Sequence, residues 1–176
     1  LGTNTLTSLN VAIGHSALKT MSAGNAETHN VAVGANAGLS VNTGIQNTIV
    51  GGLAGDAVTT GSYNVIMGTN AGGGVTTGDQ NIIIGQGTNA AALTGNTNTI
   101  IGDSAGQAMT SAANNVAVGA NTLVAHTTAA NCTAVGANAL QSNIAGADNT
   151  GLGKGALATN SSGSQNTAVG VRSMED

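Results

Sequence analysis

The sequence predicts an all-β fold, a parallel β-solenoid or β-roll of ten coils with a repeat of about 17 residues. Three observations predict it: a glycine that recurs at a fixed spacing, a run of β-branched residues before that glycine, and an almost complete lack of aromatic residues. The chain of 176 residues has one Tyr and no Phe, Trp or Pro. Because aromatic rings supply much of the buried area of an ordinary core, this chain has to bury small aliphatic side chains in a regular array.

The repeat follows the pattern Asn, two variable residues, an aliphatic residue and Gly, and we call its last residue the marker glycine. Eight of the nine intervals between marker glycines have the same length, and the first interval is longer by three positions. Such a constant period is typical of solenoids. We expect the extra residues, near 25–29, to form an outward loop. The marker glycines are Gly14, Gly34, Gly51, Gly68, Gly85, Gly102, Gly119, Gly136, Gly153 and Gly170.

The segments before the marker glycines indicate strands. Residues 81–85 read Asn-Ile-Ile-Ile-Gly, a β-branched run bounded by residues that favour turns. A second glycine is common ten residues after the marker glycine. The two glycine columns interrupt any helix and allow the positive φ angles that sharp corners need. We therefore predict that each coil has a strand of about five residues, a corner, a second short strand and a second corner.

Both strand faces are predicted to be apolar. The residue before the marker glycine is always a larger aliphatic, and we predict that this column points inward as the structural core. Neighbouring side chains in a strand point to opposite faces, so the preceding column would point outward. In that column Ile49, Ile66, Ile83 and Ile100 would form an exposed ridge, which we predict to be an oligomer interface. The predicted core residues are Ile13, Val33, Val50, Met67, Ile84, Ile101, Val118, Val135, Leu152 and Val169.

An Asn begins the pattern in nine coils, and Cys132 replaces it in the eighth coil. A row of amides can bind a glycan, or it can satisfy backbone groups at a corner and bond to its neighbours along the stack. The regular spacing favours the second interpretation, a structural corner ladder. Its members are Asn10, Asn30, Asn47, Asn64, Asn81, Asn98, Asn115, Asn149 and Asn166.

Composition argues against several classes of function. Three Lys and Arg residues against seven Asp and Glu give a net charge of −4, which cannot form the basic surface that nucleic acid requires. No apolar run reaches the length needed for membrane insertion. The residues His15, His29 and His126 fall in different parts of the coil, and the acidic residues occupy different columns. We therefore predict no metal, cofactor or catalytic site and no enzyme activity.

The segments 166–170, Asn-Thr-Ala-Val-Gly, and 134–140, Ala-Val-Gly-Ala-Asn-Ala-Leu, carry a resemblance to known families. They resemble repeats of phage and virus tail fibres and of large bacterial surface proteins. They are also similar to the head repeats of trimeric autotransporter adhesins of the YadA kind, in which three chains associate as β-rolls. The YadA-type repeat is somewhat shorter than the repeat of this chain, so the second half of the coil must differ from it.

The resemblance implies that residues 1–176 are one solenoid segment of a longer fibre chain. It implies a homotrimer on a virion or a bacterial cell surface, acting as a rod-like spacer or in adhesion, with a host receptor or glycan as a candidate ligand. One alternative is a self-assembling extracellular filament. Another is an ice-binding surface made of paired threonines such as Thr59 and Thr60, although Ile144 and Ala145 interrupt those columns.

Overall fold

The structure is a computed structural model, and it describes residues 9–22 and 27–175. Ten strands of three residues form one parallel sheet in chain order, β1 to β10. The predicted parallel β-solenoid is therefore confirmed. The strands are β1 Val11–Ile13, β2 Val31–Val33, β3 Thr48–Val50, β4 Val65–Met67, β5 Ile82–Ile84, β6 Thr99–Ile101, β7 Val116–Val118, β8 Thr133–Val135, β9 Thr150–Leu152 and β10 Thr167–Val169.

Successive strands pair in a constant register. Ile66 lies opposite Ile83 and Ile83 lies opposite Ile100, each one repeat further along the chain. Each sequence column is consequently a physical column along the rod. With a strand spacing of about 4.8 Å, the ten strands span roughly 43 Å.

The extra residues of the first interval lie between β1 and β2. Residues 23–26 are outside the described part, so the predicted loop is only partly seen. Thr28 is buried and its Oγ1 donates to Asn10 Oδ1 at 2.8 Å. The neighbouring Glu27 and His29 are exposed, and His29 Nε2 lies 3.5 Å from Glu27 Oε2. Thr28 therefore already belongs to the regular stack.

The second half of the coil differs from the prediction. In the described residues each coil has a single strand, and a turn follows the marker glycine where a second strand was expected. Leu53 and Gly55 show why, because their φ angles of 58° and 50° are left-handed and curl the chain. The turns still bond along the stack: the Leu53 amide donates to the Ala35 carbonyl and the Gly55 amide to the Ala71 carbonyl, both at 2.9 Å.

The marker glycines are required by this stacking. Their φ angles lie between 122° and 138°, a region that other residues rarely adopt. A Cβ added to Gly85 would lie 2.6 Å from the carbonyl oxygen of Gly102 in the next coil. Any side chain there would collide with backbone, so the close approach of the coils depends on this column of glycine.

The predicted core and the predicted interface are exchanged in the structure. A strand of three residues places its first and last side chains on one face and its middle side chain on the other. The middle residues face the interior, and the four isoleucines predicted as an interface, Ile49, Ile66, Ile83 and Ile100, are fully buried. The last strand residues face outward and none is buried. This corrects the predicted core of Ile13, Val33, Val50, Met67, Ile84, Ile101, Val118, Val135, Leu152 and Val169.

The interior is filled by complementary side-chain sizes. The middle strand residue packs against the fourth residue after the marker glycine, which we call the inner turn residue. In the fourth coil Ile66 faces Gly72, where an added Cβ would lie 3.1 Å from Ile66 Cγ2. In the seventh coil the sizes are reversed, because Ala117 occurs with Leu123 and both are fully buried. In these two coils the large residue therefore lies on opposite sides of the interior. In the second coil both positions are small, and side chains of the neighbouring coils fill the space.

A further inward column lies seven residues after the marker glycine, and we call its members return residues. The early coils bury aliphatic or Met side chains at this position, whereas the seventh and eighth coils bury His126 and Asn143. In the irregular fifth coil Leu93, one residue later, takes the inward place. The aliphatic and Met return residues are Met21, Val41, Val58, Val75 and Met109.

The size exchange predicts strong coupling between Ile66 and Gly72. Ile66→Ala alone leaves a cavity and should reduce the free energy of unfolding by about 2–5 kcal/mol. Gly72→Leu alone overpacks the interior. The double variant recreates the Ala and Leu pair of the seventh coil, so urea denaturation should give a favourable coupling energy of about 0.5–3 kcal/mol. Additive single effects would contradict this packing.

The inward direction of the middle strand residue can be tested within one strand. Ile82 is 40% exposed and Ile83 is fully buried. Replacing Ile83 with Ala should lower the free energy of unfolding by about 2–5 kcal/mol. The matched variant Ile82→Ala should lower it clearly less. Equal losses, measured by urea denaturation, would mean that the two faces are not distinguished in this way.

Candidate interaction surfaces

The first and last strand residues form a continuous uncharged surface of aliphatic and Thr side chains, which we call the outer sheet face. The first residue of each strand is Val, Ile or Thr and the last is Val, Ile, Leu or Met. No residue of β1–β10 is charged. The exposed fraction reaches 59% at Ile13 and 66% at Val169, and it is 39% at Met67. With three residues at about 3.3 Å each, the face is roughly 10 Å wide along the whole rod.

An apolar surface of this length is unusual on a protein that remains a monomer. The β-branched side chains on it have restricted χ1 angles, so little side-chain entropy is lost when a partner covers them. Sequence reasoning found two apolar strand faces and assigned the interface to the wrong one. The outer sheet face is therefore the candidate interface.

The predicted Asn ladder is present and it is structural. In the third coil the Asn47 amide Nδ2 donates to the Gly61 carbonyl at 2.9 Å and to Asn30 Oδ1 at 3.1 Å. Asn47 Oδ1 in turn accepts from the backbone N–H of Asn64 at 3.0 Å. The side chain thus joins the two corners of its own coil and links that coil to both neighbours. Buried and fully engaged amides of this kind are not available to a glycan.

Cys132 interrupts this ladder. Its backbone N–H still donates to Asn115 Oδ1 at 2.8 Å, and its Sγ lies 3.2 Å from the Gly146 carbonyl oxygen. A thiol has no amide oxygen to offer to the next coil, so Asn149 loses the acceptor that other ladder members provide. Burial is the main cause that raises the pKa of the Cys132 thiol, which keeps it protonated and unreactive.

A second polar column, next to the Asn ladder, escaped sequence reasoning. Asp79 Oδ1 accepts from the backbone N–H of Ser62 at 2.7 Å, and Asn96 Oδ1 accepts from that of Asp79 at 2.7 Å. Ser62 Oγ accepts from the Ile45 amide at 3.1 Å. The sequence does contain a signal for this column, which is a small residue with a side-chain oxygen two positions before the ladder Asn. Asp79 is thereby explained as a structural residue.

The structure does not bring the three histidines together. His15 and His29 are exposed at different corners and His126 is buried in the interior. In the described part of the chain, no group of three or more His, Cys, Asp or Glu side chains could hold a metal ion. Burial raises the pKa of Asp56, while two backbone hydrogen bonds oppose that effect.

Within residues 9–22 and 27–175, no helix has the length and apolar character to cross a bilayer.

The first threonine of each pair makes a hydrogen bond within the stack. Thr59 Oγ1 donates to the Thr76 carbonyl at 3.2 Å, and Thr127 Oγ1 donates to the Ile144 carbonyl at 3.2 Å. These hydroxyls therefore have no proton left to offer outside. Ile144 is half exposed and breaks the hydroxyl surface, as the sequence predicts.

A cleft of about 540 Å³ lies beside the second half of the ninth coil. Its lining is small and mostly polar, and it contains no titratable side chain. It therefore offers no group for acid–base catalysis. The lining residues are Leu157, Thr159, Asn160, Ser161, Ser162, Gly163, Asn166 and Met174.

Comparison of the chain with protein-family models, with curated proteins and with solved structures finds no match.

Restoring the ladder should stabilise the rod. We expect Cys132→Asn to raise the free energy of unfolding by about 0.5–1.5 kcal/mol, because one amide supplies the missing donor and acceptor. The ninth coil shows that such an Asn fits beside an Asn return residue, since Asn149 and Asn160 both donate to the Gly163 carbonyl. Cys132→Ser is the matched control, because it also removes the thiol but does not restore the amide. A stability no higher than that of the Ser variant, in urea denaturation, would argue against the ladder.

Proposed function

We propose that the chain is a non-enzymatic, rod-like segment of an extracellular trimeric fibre, on a virion or a bacterial surface, in which the outer sheet faces of three copies pack together. The observation that carries this proposal is the outer sheet face of aliphatic and Thr side chains. It runs through all ten coils and has no charged residue. Its role in such a fibre is that of a spacer that can also present an adhesive surface.

The energetics of the outer sheet face support association. Full burial of one Val, Leu, Ile or Met side chain contributes about 1.5–3 kcal/mol, and half-exposed side chains contribute part of that value. Association costs about 4–15 kcal/mol of translational and rotational freedom. A single coil could not offset this cost, whereas a face shared by ten coils can.

The repeat geometry supports a parallel arrangement. Every copy presents the same columns at the same spacing of about 4.8 Å. Parallel copies in register therefore place each coil beside its equivalent, and every coil adds the same contact. The number of three chains comes from the resemblance to trimeric autotransporter heads and tail fibres.

The corners of the coil remain accessible in this arrangement. Gln46, Tyr63 and Gln80 form one exposed corner column, with a left-handed backbone at each residue. Such side chains on a rigid backbone are suited to contact a host receptor or a glycan. Adhesion would therefore use the corners, while the outer sheet face holds the fibre together.

The trimer is tested by placing charge on the outer sheet face. In Met67→Asp/Ile82→Asp both changes fall on side chains about 40% exposed in the single chain, so the coil should still fold. Like charges would meet at the interface with no cation to pair with them. Analytical ultracentrifugation should give three times the chain mass for the unaltered protein and one chain mass for the variant.

The matched control is Leu53→Asp/Ile144→Asp, which changes two exposed aliphatic residues outside the sheet. This control should still form the trimer. An unaltered protein that remains a folded monomer at high concentration would rule out the proposed assembly. Open-ended polymers seen by electron microscopy would favour the filament alternative instead.

A further inference from the structure

His126 is an ionisable residue enclosed in the aliphatic interior of the seventh coil. It has no exposed surface in the single chain. Its Nε2 lies 2.8 Å from the carbonyl oxygen of Ala129. Because a carbonyl oxygen can only accept, Nε2 carries the proton. The Nδ1 atom lies 3.2 Å from Asn143 Nδ2 in the next coil, and it accepts from that amide. His126 is therefore held as the neutral imidazole.

The orientation of the Asn143 amide is fixed from two sides. Its Nδ2 donates to the Gly146 carbonyl at 2.8 Å, and its Oδ1 accepts from Asn160 Nδ2 at 3.2 Å. A flipped amide would set its oxygen against the Gly146 carbonyl and its nitrogen against Asn160 Nδ2. A second proton on His126 Nδ1 would consequently face a donor, and neither neighbour can rotate to accept it.

Among the described residues, no charged side chain lies close enough to His126 to compensate for its protonation. The other titratable group of this cluster is Cys132, whose Sγ lies 3.7 Å from Asn143 Nδ2 and whose pKa is raised mainly by burial. Asp148 lies outside and accepts from Asn131 Nδ2 at 3.0 Å. The preceding coil contributes Met109 at the equivalent inward position. Burial is the largest cause that lowers the pKa of His126, and hydrogen bonds oppose it in part.

The fold itself does not need a histidine here. The same column carries Val41, Val58 and Val75 in earlier coils, and all three are fully buried. The ionisable side chain is thus particular to this part of the rod. The valines of the earlier coils show that an aliphatic residue fits at the same position.

We propose that His126 makes the seventh to ninth coils an acid-sensitive section, whose local opening becomes more frequent below about pH 6.5 while that of the second to fifth coils does not. Each coil contacts only its neighbours, so a solenoid can open in one section. Because the single chain already encloses His126, the inference holds whether the protein is a monomer or a trimer.

The direction of the effect follows from proton linkage. The folded state holds the pKa of His126 below its ordinary value of about 6.5, so the opened state binds more protons under acid conditions. Stability of this section is complete above about pH 6.5 and is lost as the pH falls toward the pKa of the folded state. The opening equilibrium constant should rise by at most about tenfold for each pH unit in that window.

The test is amide hydrogen exchange of the full chain between pH 7.5 and pH 5.5, with protection factors corrected for the intrinsic pH dependence of exchange. This range avoids most carboxylate titration. Peptides from residues 119–160 should lose up to about tenfold in protection for each pH unit below about 6.5. Peptides from residues 31–85 should change little, and they provide a reference within the same molecule.

The variant His126→Met copies the return residue of the preceding coil and should remove the pH dependence of residues 119–160. The exposed His15→Asn is the control and should keep it. Equal changes in both sections, no change in residues 119–160, or an unchanged pH profile in His126→Met would each overturn the proposal. The comparison between sections of the unaltered chain decides the question even if His126→Met does not fold.

Discussion

The backbone hydrogen bonds between successive coils are the interaction on which the whole structure depends. In the strands they fix each residue directly beside its equivalent in the next coil, so each strand column has to satisfy the same constraint along the whole rod. At the marker glycines the constraint is steric, because the backbone of the next coil occupies the place of a Cβ. At the Asn column it is polar, since each amide supplies bonds to its own coil and to both neighbours.

The interior satisfies its constraint by volume more than by residue type. Ile66 with Gly72 and Ala117 with Leu123 fill the same space from opposite sides. Such exchange is possible because the interior is one stack of side chains between two backbone segments, and close packing limits the total volume at each level. A polar residue in this narrow interior has to find its hydrogen-bond partners within the stack, as His126 does.

The outer sheet face supports the proposed assembly because it is apolar although the chain does not bury it. Its aliphatic residues are the natural β-strand formers, but strand propensity alone does not call for the exposed Met67 and Leu152. A fibre of parallel chains would give this face a partner along its whole length. The proposed acid sensitivity arises in the interior of each chain, whereas the proposed contact between chains involves the outer sheet face.

The solenoid, its period, the strand before each marker glycine and the Asn ladder could be predicted, because each follows from a repeated local pattern. The second strand predicted for each coil was wrong, since a left-handed turn takes its place in the described residues. The sequence by itself did not determine which strand face is inside, and the prediction placed Met67 inward and Ile66 outward. Alternation only says that the two differ. The direction is decided by the second half of the coil, where the left-handed turn brings Gly72 opposite Ile66. The opposite sizes of Ile66 and Gly72 are visible in the sequence, but their contact across the interior exists only in the folded chain.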